Sequence, residues 1–250
     1  MPPPPQEQQP HPQERRRAPP PVDDAMAYSD DMAAFYDAWV GREEQVVAEL
    51  TAALALPSRS RRDAALAPLV DAALRHVASY YEHKSRLADR DVVAALDPRW
   101  LTPLERTFLW AWGWKPALVF RFLGGGAGAT PQQRRALQEL QAATAAAERE
   151  VDREVAAVQE SLAGPRVLAA LGRQQAPPRN GEAAADDAVA AVGRSLRVLL
   201  GAADALRERT LRAVVGLLAP EDAAAFVAAM LGFHLSVRRA GRDWSHGQRR

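Results

Sequence analysis

Apolar residues recur every three or four positions through five long segments of this chain, which is the spacing of one face of an α-helix. These segments cover approximately residues 30–56, 63–96, 131–162, 186–218 and 220–242. No segment alternates apolar and polar residues as a half-buried β-strand does, and no repeat of 20 to 50 residues is present. The sequence therefore predicts an all-α fold, a multi-helix bundle with long antiparallel amphipathic helices.

The composition excludes several kinds of site. The 250 residues include no cysteine, which rules out disulfides, thiolate catalysis and cysteine-bound zinc. The net charge of +1, from 32 basic and 31 acidic residues, argues against a general nucleic-acid or membrane surface. No apolar run is long enough for a transmembrane segment, and no apolar stretch follows Met1 as in a secretory signal. We therefore expect a soluble intracellular protein.

The chain divides into a tail, a helical domain and a second short tail. Residues 1–28 are rich in proline and glutamine, with nine prolines in the first 21 positions. Such a segment buries too little apolar surface to offset the entropy of ordering, so we expect a disordered N-terminal tail. Residues 29–242 are predicted to form a single helical domain, and residues 243–250 a flexible basic tail.

Large aromatic residues are concentrated between Trp100 and Phe122, a segment with four of the six tryptophans and three of the six phenylalanines. Thr102, Pro103 and Glu105 have the spacing of a capping box with proline at the first helical position. We expect a helix from this point, a break near Gly113, and a second apolar helical run. Two interpretations stay open, a pair of core helices and an aromatic pocket for a planar ligand.

The segment 131–162 has the apolar seam of a helix that packs along another long helix. The predicted seam comprises Leu137, Leu140, Thr144, Ala147, Val151, Val155, Val158 and Leu162. The partner helix is either another part of this chain or a second protomer, so a homo-oligomer is one possible assembly.

Catalytic and metal-binding patterns are nearly absent from the sequence. His76 and His83 lie two helical turns apart, roughly 10.5 Å, which is too far for both to bind one metal ion. His234 lies on an apolar helix and is expected to be a histidine at the core edge with one hydrogen-bond partner. The glycines at 124–128 lack the lysine and preceding strand of a nucleotide-binding loop. We predict no catalytic residue, no metal and no cofactor.

Several short motifs occur in a characteristic order along the chain. They are Phe35-Tyr36-x-x-Trp39, Tyr80-Tyr81-x-x-Lys84, Ala88-Asp89-x-Asp91-Val92, Trp100-x-x-Pro103-Leu104-Glu105-Arg106-x-Phe108-Leu109-Trp110 and Gly113-Trp114-Lys115-Pro116. The array, over residues 30–240, resembles the delay-of-germination domain of plants, which also forms the C-terminal half of TGA-type basic leucine zipper factors. The resemblance identifies the following motif or core residues: Trp39, Tyr81, Lys84, Asp89, Trp100, Pro103, Glu105, Arg106, Trp110, Gly113, Trp114 and Pro116.

The chain departs from the family's tryptophan motif at two positions. Trp112 stands where the family has its first glycine, and Ala117 stands where the family has serine. The segment before Ser29 also has no space for a basic region and zipper. Direct sequence-specific DNA binding is therefore not expected.

The resemblance implies a non-catalytic developmental regulator or scaffold that acts through protein–protein interaction. The sequence Gly113-Trp114-Lys115-Pro116-x-x-x-Phe120-Arg121 is similar to the inaperturate pollen branch, whose members mark membrane domains that escape exine deposition. That branch implies a cytoplasmic protein at the plasma membrane with a partner such as a receptor kinase. The alternative is a nuclear seed-dormancy regulator or transcriptional cofactor that works with a basic leucine zipper factor. A third hypothesis is a small-ligand sensor built on the tryptophan cluster.

Overall fold

The computed structural model describes residues 22–124, 130–165, 167–168 and 182–247. Its elements in chain order are α1 (Val22–Leu54), α2 (Arg59–Arg90), α3 (Val92–Leu96), α4 (Pro103–Thr107), β1 (Leu109–Trp110), β2 (Gly113–Trp114), a 3₁₀ helix (Pro116–Phe122), α5 (Pro131–Leu162), α6 (Glu182–Leu217) and α7 (Pro220–Gly247). The all-α fold class is confirmed. Residues 1–21 lie outside the described residues, so the N-terminal tail stays a prediction.

The ends of the long helices differ from the predicted ends. Helix α1 begins at Val22, upstream of the expected start at residue 29, and α7 continues to Gly247, past residue 242. Helix α2 begins at Arg59, four residues before the expected start near residue 63, because the Ser58 side chain caps it, so Pro68 lies inside the helix. The same helix ends at Arg90, because the backbone of Asp91 is extended, and the Asp91 side chain caps α3.

The aromatic segment does not form the expected pair of core helices. The capping box at Thr102 is present, but α4 ends at Thr107 after only five residues. The chain then forms a two-residue antiparallel ladder, in which Leu109 pairs with Trp114 and Trp110 with Gly113. The second apolar run is a 3₁₀ helix that begins at Pro116. The reason for the reversal is non-local, because residues of α2 and α6 bind the carbonyls of this turn.

Helix α5 packs on α6 of the same chain. The side chain of Gln133 donates to the carbonyl of Leu217, while Val151 packs on Ala203 and Leu206, so the two helices run antiparallel. Most of the predicted seam faces α6 and is buried or half-buried, although Leu162 at the far end is 41% exposed. The intrachain partner therefore accounts for most of the seam.

The core has two large clusters joined along the bundle. The first lies between the C-terminal half of α1, the N-terminal half of α2, the end of α6 and the start of α7. The second lies between the N-terminal half of α1, the end of α2, α3 and the start of the aromatic segment. Residues 109–122 lie across these helices, where they close a cleft against α1, α2 and α7.

Candidate functional site: an aromatic cleft and two buried charge networks

The two-stranded turn at residues 109–114, the tryptophan hairpin, has an unfavourable backbone. Ala111 and Trp112, its central residues, have φ angles of 42° and 61°. Positive φ at both central positions is the signature of a type I′ turn, which usually uses glycine or asparagine because a Cβ crowds the backbone there. Trp112 lies at one of these positions, where the resemblance to the delay-of-germination domain implies a glycine. The hairpin therefore needs external bonds to hold its shape.

Arg207 of α6 supplies most of those bonds. Its Nε donates to the carbonyl of Trp114 at 2.6 Å, and its Nη2 donates to the carbonyls of Trp110 and Ala111. Its Nη1 donates to the carboxylate of Asp204 at 2.5 Å. The planar guanidinium thus binds three hairpin carbonyls at once, which a single ammonium could not do in the same geometry.

Lys84 of α2 completes this Arg207 network. Its side chain is 0% exposed, and Nζ donates to the carbonyl of Trp112 at 2.7 Å and forms an ion pair with Asp204 at 3.1 Å. Burial lowers the pKa of Lys84 to about 8, although Asp204 opposes the shift. Two buried cations share one carboxylate, and hairpin carbonyls provide the remaining acceptors.

The guanidinium leaves no room for a side chain at Gly113. A Cβ built at this glycine would lie 2.5 Å from Cζ of Arg207, closer than real Cβ contacts. Glycine at this motif position is therefore required by the approach of Arg207.

A second set of buried polar groups, the His234 network, links α1, α4 and α7. Nδ1 of His234 lies 2.7 Å from Oε2 of Glu43, and Nε2 lies 3.0 Å from the Tyr36 hydroxyl. The hydroxyl donates to Oε1 of Glu105 at 2.7 Å. A doubly protonated His234 satisfies all these contacts, with one N–H donated to Glu43 and the other to Tyr36.

Glu105 is the junction of the His234 network. Its Oε2 accepts from the backbone N–H of Thr102 at 2.7 Å and from Arg238 at 3.3 Å. Burial alone would raise the pKa of this carboxyl, but hydrogen bonds from His234, Thr102 and Tyr36 lower it to about 2. The glutamate that closes the capping box of α4 therefore also joins that helix to α1 and α7.

The charges of Glu43 and His234 depend on each other. Burial raises the pKa of Glu43, while His234 opposes the shift. Burial alone would lower the pKa of His234, but Glu43 and Glu105 raise it to about 9. The expected single partner of His234 was therefore wrong, because Tyr36, Glu43 and Glu105 all contact the imidazole.

An aromatic cleft of about 120 Å³ lies between the two networks. Its walls are mainly aromatic and aliphatic, and its polar lining includes Glu43 and His234. Trp114 stacks on Phe108 and meets Phe233 and His234 edge to face. The remaining aromatic lining comprises Tyr36, Trp39, Tyr80, Tyr81 and Phe122.

The structure brings together most of the motif residues that the sequence identified. Arg207 contacts Trp110, Gly113 and Trp114 at the hairpin, and Lys84 donates to the carbonyl of Trp112 in the same turn. Pro103 begins α4, whose Glu105 belongs to the His234 network, and Pro116 is buried at the start of the 3₁₀ helix.

The other motif residues do not contact the hairpin carbonyls. Trp39 stacks on His76 and donates to its carbonyl at 2.8 Å, and Trp100 donates to the Tyr80 hydroxyl at 3.3 Å. Tyr81 lines the cleft. Asp89 and Arg106 lie at the surface. Asp89 forms an ion pair with Arg197, and the side chain of Arg106 is exposed.

Sequence reasoning missed the residues that bind these motifs. Arg207 and Asp204 of α6, Arg238 of α7 and Glu43 of α1 are all buried. A signal was available, since each charge interrupts the apolar face of an otherwise regular helix. Arg207 follows the buried Leu206 and precedes the buried Leu211. A charge at such a position predicts a buried partner.

The described residues contain no group of three histidine, aspartate or glutamate side chains placed to hold a metal ion. His76 is stacked on Trp39 and His83 on Phe35, in separate contacts. Within the same described ranges, no helix has the length and apolarity needed to cross a bilayer.

Comparison with known proteins agrees with the motif array. The family model described as DOG1, seed dormancy control, matches residues 46–124. The protein RESPONSE TO ABA AND SALT 1 of Arabidopsis thaliana is 30% identical over 217 residues, which cover 84% of this chain and 94% of that protein. Protein DOG1-like 4 of the same plant is 29% identical over 215 residues, 83% of this chain and 90% of the relative.

A transcription factor shares the same region. Transcription factor TGA7 of Arabidopsis thaliana is 29% identical over 209 residues, which cover 82% of this chain and 54% of the factor. The chain therefore belongs to the seed dormancy control family, whose domain also occurs in TGA factors. The resemblance inferred from the motifs is confirmed.

Proposed function

We propose that this protein is a non-catalytic regulator that acts by binding other proteins. The observation that carries the proposal is that the buried charged side chains bind other parts of the fold. Lys84 and Arg207 donate to hairpin carbonyls, and Glu105 caps α4, so their hydrogen bonds and ion pairs stabilise the domain. The names of the relatives, which include a transcription factor, support a regulatory role over an enzymatic one.

The first site of action we propose is the nucleus, with a basic leucine zipper factor as partner. The match to TGA7 supports this proposal, because that relative is a transcription factor. The aligned region covers only 54% of the factor, and the rest of the factor has no counterpart in the alignment, so we assign the DNA contact to a partner. In this proposal the chain binds no DNA sequence itself and modifies the action of a DNA-bound partner.

The second candidate is pollen aperture formation, in which the protein would mark membrane domains that escape exine deposition. It is supported by the hairpin sequence Gly113-Trp114-Lys115-Pro116 followed by Phe120-Arg121. In this candidate the protein is cytoplasmic and reaches the plasma membrane through a partner such as a receptor kinase.

Localisation combined with partner binding tests these proposals. A fluorescently tagged copy under its native promoter would be imaged in anthers and developing seeds, and cross-linked complexes would be purified from the positive tissue. Nuclear signal with a co-purified basic leucine zipper factor supports the first site of action. Signal at discrete membrane sites of microspores supports the second. A chain recovered without any protein partner from every tissue that expresses it contradicts the regulatory proposal.

Two glycine variants test in that experiment whether partner binding depends on the intact hairpin. Gly113→Ala places a methyl group against Arg207, whereas a Cβ at Gly41 has nothing within 4 Å. Partner recovery should fall with Gly113→Ala and stay unchanged with Gly41→Ala.

A further inference from the structure

The aromatic cleft has an unsatisfied acceptor in its lining. Glu43 is 0% exposed and lines the cleft. Its Oε2 is bound to His234, but within the described residues its Oε1 has no hydrogen-bond partner. A buried polar atom without a partner is costly, so an occupant that donates to it would be favoured.

The other charged groups of the lining are already engaged. Arg207 donates to Asp204 and to three hairpin carbonyls, and Lys115, the exposed residue of the lining, pairs with Glu148 at 3.7 Å. His234 carries its charge between Glu43 and Glu105. The buried cations that face the cleft are thus neutralised, which favours an uncharged occupant over a carboxylate or phosphate.

The volume of the cleft sets the size of the occupant. An apolar cavity of about 150 Å³ holds benzene, and this cleft measures about 120 Å³. Faces and edges of Trp39, Trp114 and Phe233 are suited to a flat ring. On this scale the enclosed space fits about one aromatic ring, so a small fused pair would extend into the open side of the cleft. A large macrocycle or a long chain does not fit.

We propose that the cleft binds a small, uncharged aromatic molecule with one hydroxyl or ring N–H, which donates to Oε1 of Glu43. The ring lies among the aromatic side chains near the hairpin, and the donor reaches the α1 side of the cleft. Since α1, α2, α7 and the hairpin all line this space, an occupant couples these elements and stabilises the folded domain by mass action. The proposal is independent of the protein-partner role.

Matched pairs of simple probes test it on the full chain. Phenol and indole carry the donor, whereas anisole and 1-methylindole have the same ring without it, and benzoate tests the charge. Calorimetry and ligand-observed NMR should show phenol and indole binding roughly tenfold more tightly than their methylated counterparts, the value of one hydrogen bond to a charged acceptor. Equal affinities within each pair, or benzoate binding tighter than phenol, overturn the proposal.

Two variants locate the site. In Glu43→Gln the amide oxygen accepts from His234 and its NH₂ faces the cleft, so the preference for phenol over anisole should disappear. Glu49→Gln, on the exposed side of α1, should keep the preference. Leu118→Phe fills the cleft and should weaken every ring probe by at least tenfold while leaving α1 unaltered.

Retention of the tenfold preference in a folded Glu43→Gln protein overturns the proposal, as does unchanged binding in Leu118→Phe. If Glu43→Gln does not fold, the probe pairs on the parent and the Leu118→Phe variant decide the question. No binding of any probe to the folded parent at millimolar concentration also overturns it.

Discussion

Gly113 and Arg207 are matched to each other across the hairpin, since the guanidinium occupies the space that any Cβ at residue 113 would need. The built Cβ lies 2.5 Å from Cζ, 2.7 Å from Nε and 2.9 Å from Nη2 of the arginine. The contact explains why a glycine at this position and a buried arginine on α6 belong to one structural unit.

Gly113→Ala should therefore destabilise the protein by about 2–3 kcal/mol, the cost of overpacking a site whose neighbour is held by four hydrogen bonds. Urea unfolding measures the change. The matched control is Gly41→Ala, where the helix interior has open space and alanine should stabilise by about 0.5–1 kcal/mol. Equal effects of the two substitutions would refute the assigned contact.

Substitutions at Ala111 should change stability in opposite directions. With φ at 42°, glycine removes backbone strain and should stabilise the protein by about 0.5–1 kcal/mol. Valine, whose branched Cβ is strongly disfavoured at positive φ, should destabilise it by more than about 1 kcal/mol. Thermal unfolding of the two variants checks the order, and a valine variant as stable as the glycine variant would contradict the turn geometry.

Tyr36→Phe should destabilise the domain by about 2 kcal/mol. The lost hydroxyl both donates to Glu105 and accepts from His234, so two buried groups lose a partner while the ring volume stays almost the same. Chemical denaturation measures the cost. A phenylalanine variant as stable as the parent would show that water or rearrangement replaces the hydroxyl.

The pKa values of His234 and His76 should differ by several pH units. Glu43 and Glu105 overcome burial and raise the pKa of His234 to about 9, whereas burial and Arg42 lower the pKa of His76 to about 4. At pH 7 the NMR signals of His234 should be those of an imidazolium and those of His76 of a neutral ring. A neutral His234 at pH 7 would contradict the proton arrangement of the His234 network.

The raised pKa of His234 also affects stability. Between pH 6.5 and about 9 the folded protein holds a proton that the unfolded chain has lost, so the free energy of unfolding falls as pH rises. The contribution of His234 to the free energy of unfolding is complete below pH 6.5 and amounts to roughly 3 kcal/mol.

Lys84 acts in the opposite direction above its folded pKa of about 8, because there the unfolded chain holds the extra proton. The effect of Lys84 is the same in the parent and in His234→Gln, so the quantity to measure is the difference between their free energies of unfolding. This difference should shrink from pH 6.5 to pH 9. A difference that stays constant would contradict the raised pKa of His234.

Local signals in the sequence predicted local structure correctly. Thr102 begins a helix with the expected capping box, because Pro103 and Glu105 fix that geometry within four positions. The apolar spacing likewise located the long helices, and the motif array identified the residues around the hairpin.

Non-local bonds explain what the sequence reasoning missed. The segment after Thr107 has helix-compatible apolar spacing, yet Arg207 lies about 95 positions away and holds its carbonyls in a turn. No pattern within residues 100–122 contains that information. His234 and Glu43, which are 191 positions apart, similarly meet only when α7 packs on α1.

Arg207 holds the tryptophan hairpin in place, and the motif residues around it stabilise the folded domain. The most direct measurement is the free energy of unfolding of Arg207→Met, with Arg207→Lys beside it and tryptophan fluorescence as the report on the hairpin. We expect a loss of about 3–5 kcal/mol, because Asp204 and the hairpin carbonyls lose their partner, and lysine should restore little of it. A methionine variant as stable as the parent, with unchanged fluorescence, would contradict the claim.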